Sequence, residues 1–218
     1  MTRAPRASLS ERRLYLCTPD RLDLGEFVTA CIEGGVDVVQ LREKHLEARP
    51  LLARAAVAAE VCRRQGVPFI VNDRPDLARA AGADGVHVGQ DDVPVRVVRE
   101  ILGPNAVVGL STHGPGDLAD AADEDIDYIS AGPVEPTPTK PGRPGTGLGY
   151  VTLASERSSV PVFVTGGVTP ERIPALAAAG ARHFVVVRSL TEAADPRAAA
   201  QALRTAIDLA WSTEPTAP

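Results

Sequence analysis

The chain has 218 residues, a length that holds one domain or at most a domain and a half. Its 23 Lys and Arg against 28 Asp and Glu leave a formal net charge of -5, without the basic excess that a nucleic-acid or anionic-membrane partner usually requires. Cys17, Cys31 and Cys62 are odd in number and form no CxxC pair, which argues against a disulfide framework or structural zinc and for free thiols in a reducing cytosol.

Met1 to Arg13 is polar, carries several arginines and lacks the apolar run of a secretory signal. No stretch approaches the ~20 apolar residues of a membrane span. The expected organisation is a flexible tail over 1–13, a catalytic domain over 14–211 and a second flexible tail over 212–218, in the cytoplasm, with no membrane partner. Within the domain, short apolar runs alternate with Ala-rich amphipathic segments. The first run is Leu14 to Cys17, followed by a helix over Gly25 to Glu33. Val36 to Leu41 precedes a long helix from Pro50 to Gln65, and Pro68 to Val71 a short one from Pro75 to Ala81. Gly85 to Val88 leads to a helix over Pro94 to Leu102, and Ala106 to Leu110 to one over Pro115 to Ala122. Tyr128 to Ala131 opens into a long Pro/Gly/Thr loop, Gly132 to Gly149, then a helix over Tyr150 to Glu156. Val160 to Val164 and a helix over Pro170 to Ala179 follow, then Phe184 to Val187 and a last helix over Pro196 to Trp211.

The runs are Val- and Ile-rich and continuous rather than alternating, as expected of parallel strands covered on both faces. Gly34, Gly35, Gly66, Gly82 and Gly180 fall where helices should stop, and Pro50, Pro75, Pro94, Pro115, Pro170 and Pro196 near where they should start. Eight βα units in this length imply a single (β/α)8 TIM barrel, with an open doubly wound sheet as the rival.

In that barrel the chemistry sits at the C-terminal strand ends. The second run ends in Gln40-Leu41-Arg42-Glu43-Lys44, where a period of two sets Gln40, Arg42 and Lys44 on one side. Facing inward, they form a cationic group suited to phosphate oxygens; otherwise they are ordinary loop charges. The third run ends in Asn72-Asp73 and the fourth in His87-Val88-Gly89-Gln90-Asp91-Asp92. Asp73 with Asp91 or Asp92 suits Mg2+, which takes one or two carboxylates plus phosphate oxygens and water, unless an aspartate, Asp91 above all, caps the next helix. After the fifth run, Ser111 can hydrogen-bond a substrate ring, and His113 is a base or a supporting residue. His87 reads as a packed interior residue. In the long loop, Thr137, Thr139 and Lys140 supply two hydroxyls and a cation for phosphate, or belong to an exposed disordered loop. The turns Thr165-Gly166-Gly167 and Val187-Arg188-Ser189 lie where this fold commonly cradles phosphate. Two anion sites imply two phosphorylated substrates, or one phosphorylated at both ends.

Taken together and in order, these phrases resemble the thiamine-phosphate synthase family over Leu14 to Ala206. The resemblance implies that Gln40, Arg42, Lys44 and Asn72 hold an aminopyrimidine diphosphate, that Asp73 and Asp92 rather than Asp91 are the Mg2+ ligands, and that Ser111 contacts the pyrimidine. It assigns Lys140 to the diphosphate, Thr137 and Thr139 to the thiazole phosphate, and Gly167 with Val187, Arg188 and Ser189 to that phosphate's cradle. Arg42, Lys44, Ser111 and Lys140 are the implied catalytic set. Many relatives carry a small residue where Arg188 stands; pointing inward it adds a phosphate contact, pointing outward only its backbone matters. The implied reaction joins the pyrimidine diphosphate to a thiazole phosphate, carboxylated or not, and releases pyrophosphate. Alternatives are a thiazole tautomerase, a non-catalytic precursor-binding protein and, more distantly, another phosphate-binding isomerase or epimerase barrel. A homo-oligomer stays open.

Overall fold

The computed structural model describes residues 8–137, 142 and 144–212. Eight strands alternate with helices: β1 (Leu14–Thr18), α1 (Leu24–Glu33), β2 (Val38–Leu41), α2 (Ala48–Gln65), β3 (Phe69–Asn72), α3 (Pro75–Ala81), β4 (Gly85–Val88) and α4 (Val95–Leu102). They continue as β5 (Val107–Thr112), α5 (Pro115–Ala121), β6 (Tyr128–Ala131), α6 (Gly147–Arg157), β7 (Val162–Thr165), α7 (Ile173–Ala178), β8 (His183–Val186), α8 (Arg188–Thr191) and α9 (Pro196–Ser212). The strands form one closed parallel barrel in chain order, sealed where Leu14 of β1 registers with Phe184 of β8. The sheet therefore has no open edge, and the doubly wound rival falls.

Closure sorts the side chains into two cores. The larger lies between strands and helices: Leu14, Leu16, Val39, Val71, Val86, Val108 and Val164 meet helix stripes such as Val95, Val98 and Leu102 on α4. The smaller fills the barrel with Tyr15, Val38, Ile70, Val107, Tyr128, Phe163 and Val185. The strand runs look continuous because both faces are covered, but only the outward face is uniformly apolar. Moving one inward step towards the C-terminal ends, the interior turns polar: Gln40, Asn72, His87, Ser111 and Ser130 are all buried.

Several sequence expectations shift. The tail expected over 1–13 is packed at its end: Leu9 is 3% exposed within the interior cluster, and the Arg13 N–H donates to Asp37. β2 starts at Val38 rather than Val36, because Asp37 turns to accept the N–H groups of Arg13 and Leu14. β5 extends past the apolar run to Thr112, so Ser111 is paired within the strand. The turn after β8 winds into the short helix α8, Arg188–Thr191. Among the described residues no helix is long and apolar enough to cross a membrane.

Gly109 is required by the interior packing. A Cβ there would lie 2.1 Å from Cζ of Tyr128. Gly109→Ala should therefore force the ring out of place and lower unfolding free energy by about 1–3 kcal/mol in chemical denaturation; an unchanged midpoint would contradict this packing account.

Candidate active site

The C-terminal ends of the strands surround one cleft of about 340 Å³. Every sequence-predicted site residue within the described chain lines it: Gln40, Arg42 and Lys44 from β2 and its loop, Asn72 and Asp73 from β3, Asp92 from the β4 loop, Ser111 from β5, Thr137, Gly167, and Val187, Arg188 and Ser189 after β8. Thr139 and Lys140 lie outside the described residues.

The alternation read for β2 extends into its loop. Glu43 turns aside, its Oε1 accepting the His45 N–H at 2.7 Å, while the residues before and after it face the cleft. Lys44 Nζ lies 2.8 Å from Asp73 Oδ2. Asp73 has φ 59°, a left-handed conformation uncommon for a residue with a side chain, and its N–H donates to the His87 carbonyl at 2.8 Å. Such backbone outliers cluster at functional sites.

Burial raises the Asp73 carboxyl above its ordinary range; the Lys44 ammonium opposes this and the adjacent Asp92 carboxyl adds to it. Asp92 is fixed in turn, its Oδ2 accepting the Gly89 N–H at 2.8 Å. The expected capping role fails: α4 has Pro94 at its N-cap and no side-chain cap, so neither Asp91 nor Asp92 caps that helix. Beside the carboxylates, Asn72 is 5% exposed, and its Nδ2 has no hydrogen-bond partner among the described residues. A buried orphan donor costs free energy unless something accepts from it, and here it borders the cleft. No group of three or more His, Cys, Asp or Glu is poised for a metal among the described residues. Two carboxylates as a donor set suit a hard divalent cation whose remaining ligands are water and phosphate oxygens.

Across the cleft, Gly166, Gly167, Val168 and Thr169 approach α8. Gly167 has φ 75°, and a Cβ there would sit 2.3 Å from Nη1 of Arg172. That nitrogen donates to the Gly167 carbonyl at 3.3 Å and pairs with Glu135 of the β6 loop at 2.5 Å. The Ser189 hydroxyl donates to the Val168 carbonyl at 2.9 Å, holding α8 against the β7 turn. The side-chain hydroxyl of Ser189 is thus engaged within the protein. His113 Nδ1 meets the Gly132 carbonyl, a supporting arrangement at the base of the β6 loop.

Sequence reasoning missed four features. Cys17 and Ser130 also line the cleft, and the period-two rule applied to β2 would have found them on β1 and β6. Gln90 donates to the Ser111 carbonyl at 2.7 Å, a loop-to-strand tie with no local sequence signal. His87 is buried as expected, yet its Nε2 lies 2.9 Å from the Ser111 hydroxyl at the cleft.

The family model described as thiamine monophosphate synthase matches residues 14–190. A curated thiamine-phosphate synthase from Mycobacterium bovis is 49% identical over 216 residues, covering 93% of this chain and 97% of that protein. One from Thermobifida fusca is 50% identical over 205 residues, covering 91% and 94%. A solved structure, thiamine phosphate pyrophosphorylase from Pyrococcus furiosus, superposes with TM-score 0.83 at 30% identity, covering 91% of this chain and 96% of that one.

The carboxylate pair yields a test that needs no substrate. Asp92→Asn keeps an acceptor for the Gly89 N–H and removes one of two neighbouring charges. In metal-free buffer it should match or exceed the parent's stability, by up to about 1 kcal/mol. Asp92→Ala, which loses the acceptor, should cost about 1 kcal/mol. Equal destabilisation by both, measured by urea denaturation, would contradict the like-charge account.

Proposed function

The chain belongs to the thiamine monophosphate synthase family and is a transferase of the thiamine-phosphate synthase type; on that premise we propose that its cleft joins 4-amino-2-methyl-5-hydroxymethylpyrimidine diphosphate to a thiazole phosphate in an Mg2+-dependent reaction. The observation that carries this reading is the Asp73–Asp92 pair beside Lys44, set in one cleft with the Gly167 turn and α8. The first group suits a diphosphate with its cation, and the second a phosphate monoester.

Asp73 and Asp92 would hold the metal, with Asn72 Nδ2, Arg42 and Lys44 donating to diphosphate oxygens. Bound there, Mg2+ supplies positive charge that stabilises the departing pyrophosphate. The C–O bond to the pyrimidine methylene breaks with its electron pair leaving on pyrophosphate, and the ring amino group donates electron density to the carbon left behind. The thiazole nitrogen lone pair then forms the new C–N bond. No proton needs to be removed at the reacting carbon, so a strong general base is not required. The protein contributes position and charge: Ser111 and Gln40 orient the pyrimidine, and Gly167 with the Val187–Ser189 turn holds the thiazole phosphate so that its nitrogen faces the carbon. In this reading Thr137 and Thr139 add to the thiazole phosphate and Lys140 to the diphosphate. Arg188, which lines the cleft at the first position of α8, adds a side-chain contact to the monoester phosphate. We place the enzyme in the cytoplasm, in keeping with three buried cysteines, none of them in a disulfide.

The test is turnover with both phosphorylated heterocycles across an Mg2+ titration, measuring thiamine phosphate and pyrophosphate together. Stoichiometric, Mg2+-dependent formation of both products is expected. Asp73→Ala and Asp92→Ala should each lower kcat at least about 100-fold while remaining folded. Near-normal turnover of either variant at limiting Mg2+ would sink the metal assignment. Metal-independent conversion of the thiazole phosphate alone would replace the synthase reading with a tautomerase.

A further inference from the structure

We infer that the floor of the cleft is a one-way hydrogen-bond chain in which Tyr15, Tyr128 and His87 act as positioning residues, turning Gln40 and Ser111 into hydrogen donors towards the bound ring. The inference rests on the reading above that Gln40 and Ser111 face the pyrimidine.

Six side chains from five strands are linked without a break. Cys17 Sγ donates to Gln40 Oε1 at 3.0 Å, and Gln40 Nε2 donates to the Tyr15 hydroxyl at 3.1 Å. The Tyr15 and Tyr128 hydroxyls are 2.9 Å apart. Tyr128 reaches His87 Nδ1 at 3.0 Å, and His87 Nε2 reaches the Ser111 hydroxyl at 2.9 Å. Tyr15 is 1% exposed and Tyr128 0% exposed, so bulk water does not substitute for either hydroxyl.

The direction of the chain follows from the orientation of the Gln40 amide. Its oxygen takes the Cys17 thiol proton and its nitrogen donates to Tyr15. The Tyr15 oxygen accepts there, and its single proton goes to the Tyr128 oxygen. Tyr128 then has one proton to give, and His87 Nδ1 is its acceptor. That sets His87 as the neutral tautomer with its proton on Nε2, which donates to Ser111. A proton on Nδ1 would instead face the Tyr128 proton and break the sequence. The hydrogens left over are the second amide proton of Gln40 and the hydroxyl proton of Ser111, both on residues lining the cleft.

The packing holds the chain in place. Phe163 meets Tyr15 and Tyr128 edge-on at 5.4 and 5.2 Å, and His87 stacks on Tyr128 at 5.4 Å between centroids. Two donors with a fixed direction select a ring edge that presents acceptors, such as the nitrogens of a pyrimidine. They select against an edge carrying an N–H, because one donor would then be left unpaired.

Two measurements test this. The first is the KM of each substrate for Tyr128→Phe, which deletes one hydroxyl and keeps the ring. KM for the pyrimidine diphosphate should rise about 10-fold, as for the loss of one buried hydrogen bond, while KM for the thiazole phosphate stays within about twofold. Equal changes in both, or none, would overturn the proposal. The second is the 15N-histidine NMR spectrum of the unaltered protein at neutral pH, with His87 assigned from His87→Gln. A neutral imidazole protonated on Nε2 is expected, and that fixed tautomer should be lost in Tyr128→Phe. A cationic His87, or one protonated on Nδ1, would overturn the chain's direction even if the variant did not fold. Because the spectrum requires no turnover, it decides the relay separately; a wild-type protein inactive with both substrates would count against the synthase reading instead.

Discussion

Closing eight parallel strands into a barrel forces every second side chain into a small interior, and the rest of this molecule follows from how that interior is filled. Below, aromatic and branched residues pack: Phe163 meets Tyr15 and Tyr128 edge to face, and Gly109 leaves the space Tyr128 needs. One inward step towards the C-terminal ends, the same strands present Gln40, Asn72, His87, Ser111 and Ser130, all buried and all lining the cleft. The site is therefore not set on top of a finished scaffold. Its floor is the upper layer of the barrel core, rigid for the same reason that the core is rigid.

Electrostatics separates the two halves of the cleft. On the β2–β4 side, Asp73 is held in a left-handed backbone conformation against Asp92, with Lys44 only partly offsetting the cost. The buried Asn72 amide next to them lacks an acceptor among the described residues. Strain, like charges and an orphan donor in one place are unfavourable for an isolated protein and favourable for one that receives a cation and an anion together. On the β7–β8 side the described lining, from Thr165 to Thr169 and from Val185 to Ser189, carries no carboxylate. Gly167, Val168 and α8 are tied to one another by Arg172 and Ser189, leaving a compact turn beside the cleft.

Much of this was legible in the sequence because barrel strands carry two signals at once. Their continuous Val and Ile runs reveal burial on both faces, and the residues just past each run reveal what closes the top. Those residues put Arg42, Lys44, Asp73 and an Asp91-Asp92 pair at the mouth; the choice of Asp92 over Asp91 rests on the family resemblance alone. What stayed hidden depends on contacts between strands distant in sequence. His87 and Tyr128 are 41 positions apart, and nothing local to either tells that they share a hydrogen bond. Leu9 reads as part of a polar tail, yet it is drawn into the barrel interior. Asp91, expected to cap α4, does not, because Pro94 holds the N-cap of that helix without a side-chain cap, and Asp92 turns back to the Gly89 N–H.

The central claim is that one cleft holds two anions at once, only one of them through a metal. Calorimetric titration with pyrophosphate and with the thiazole phosphate, separately and together, with and without Mg2+, tests it most directly. The account predicts that both bind simultaneously, that pyrophosphate requires Mg2+ while the thiazole phosphate does not, and that Asp92→Asn removes only the pyrophosphate titration. Mutually exclusive binding, or pyrophosphate affinity indifferent to Mg2+, would contradict it.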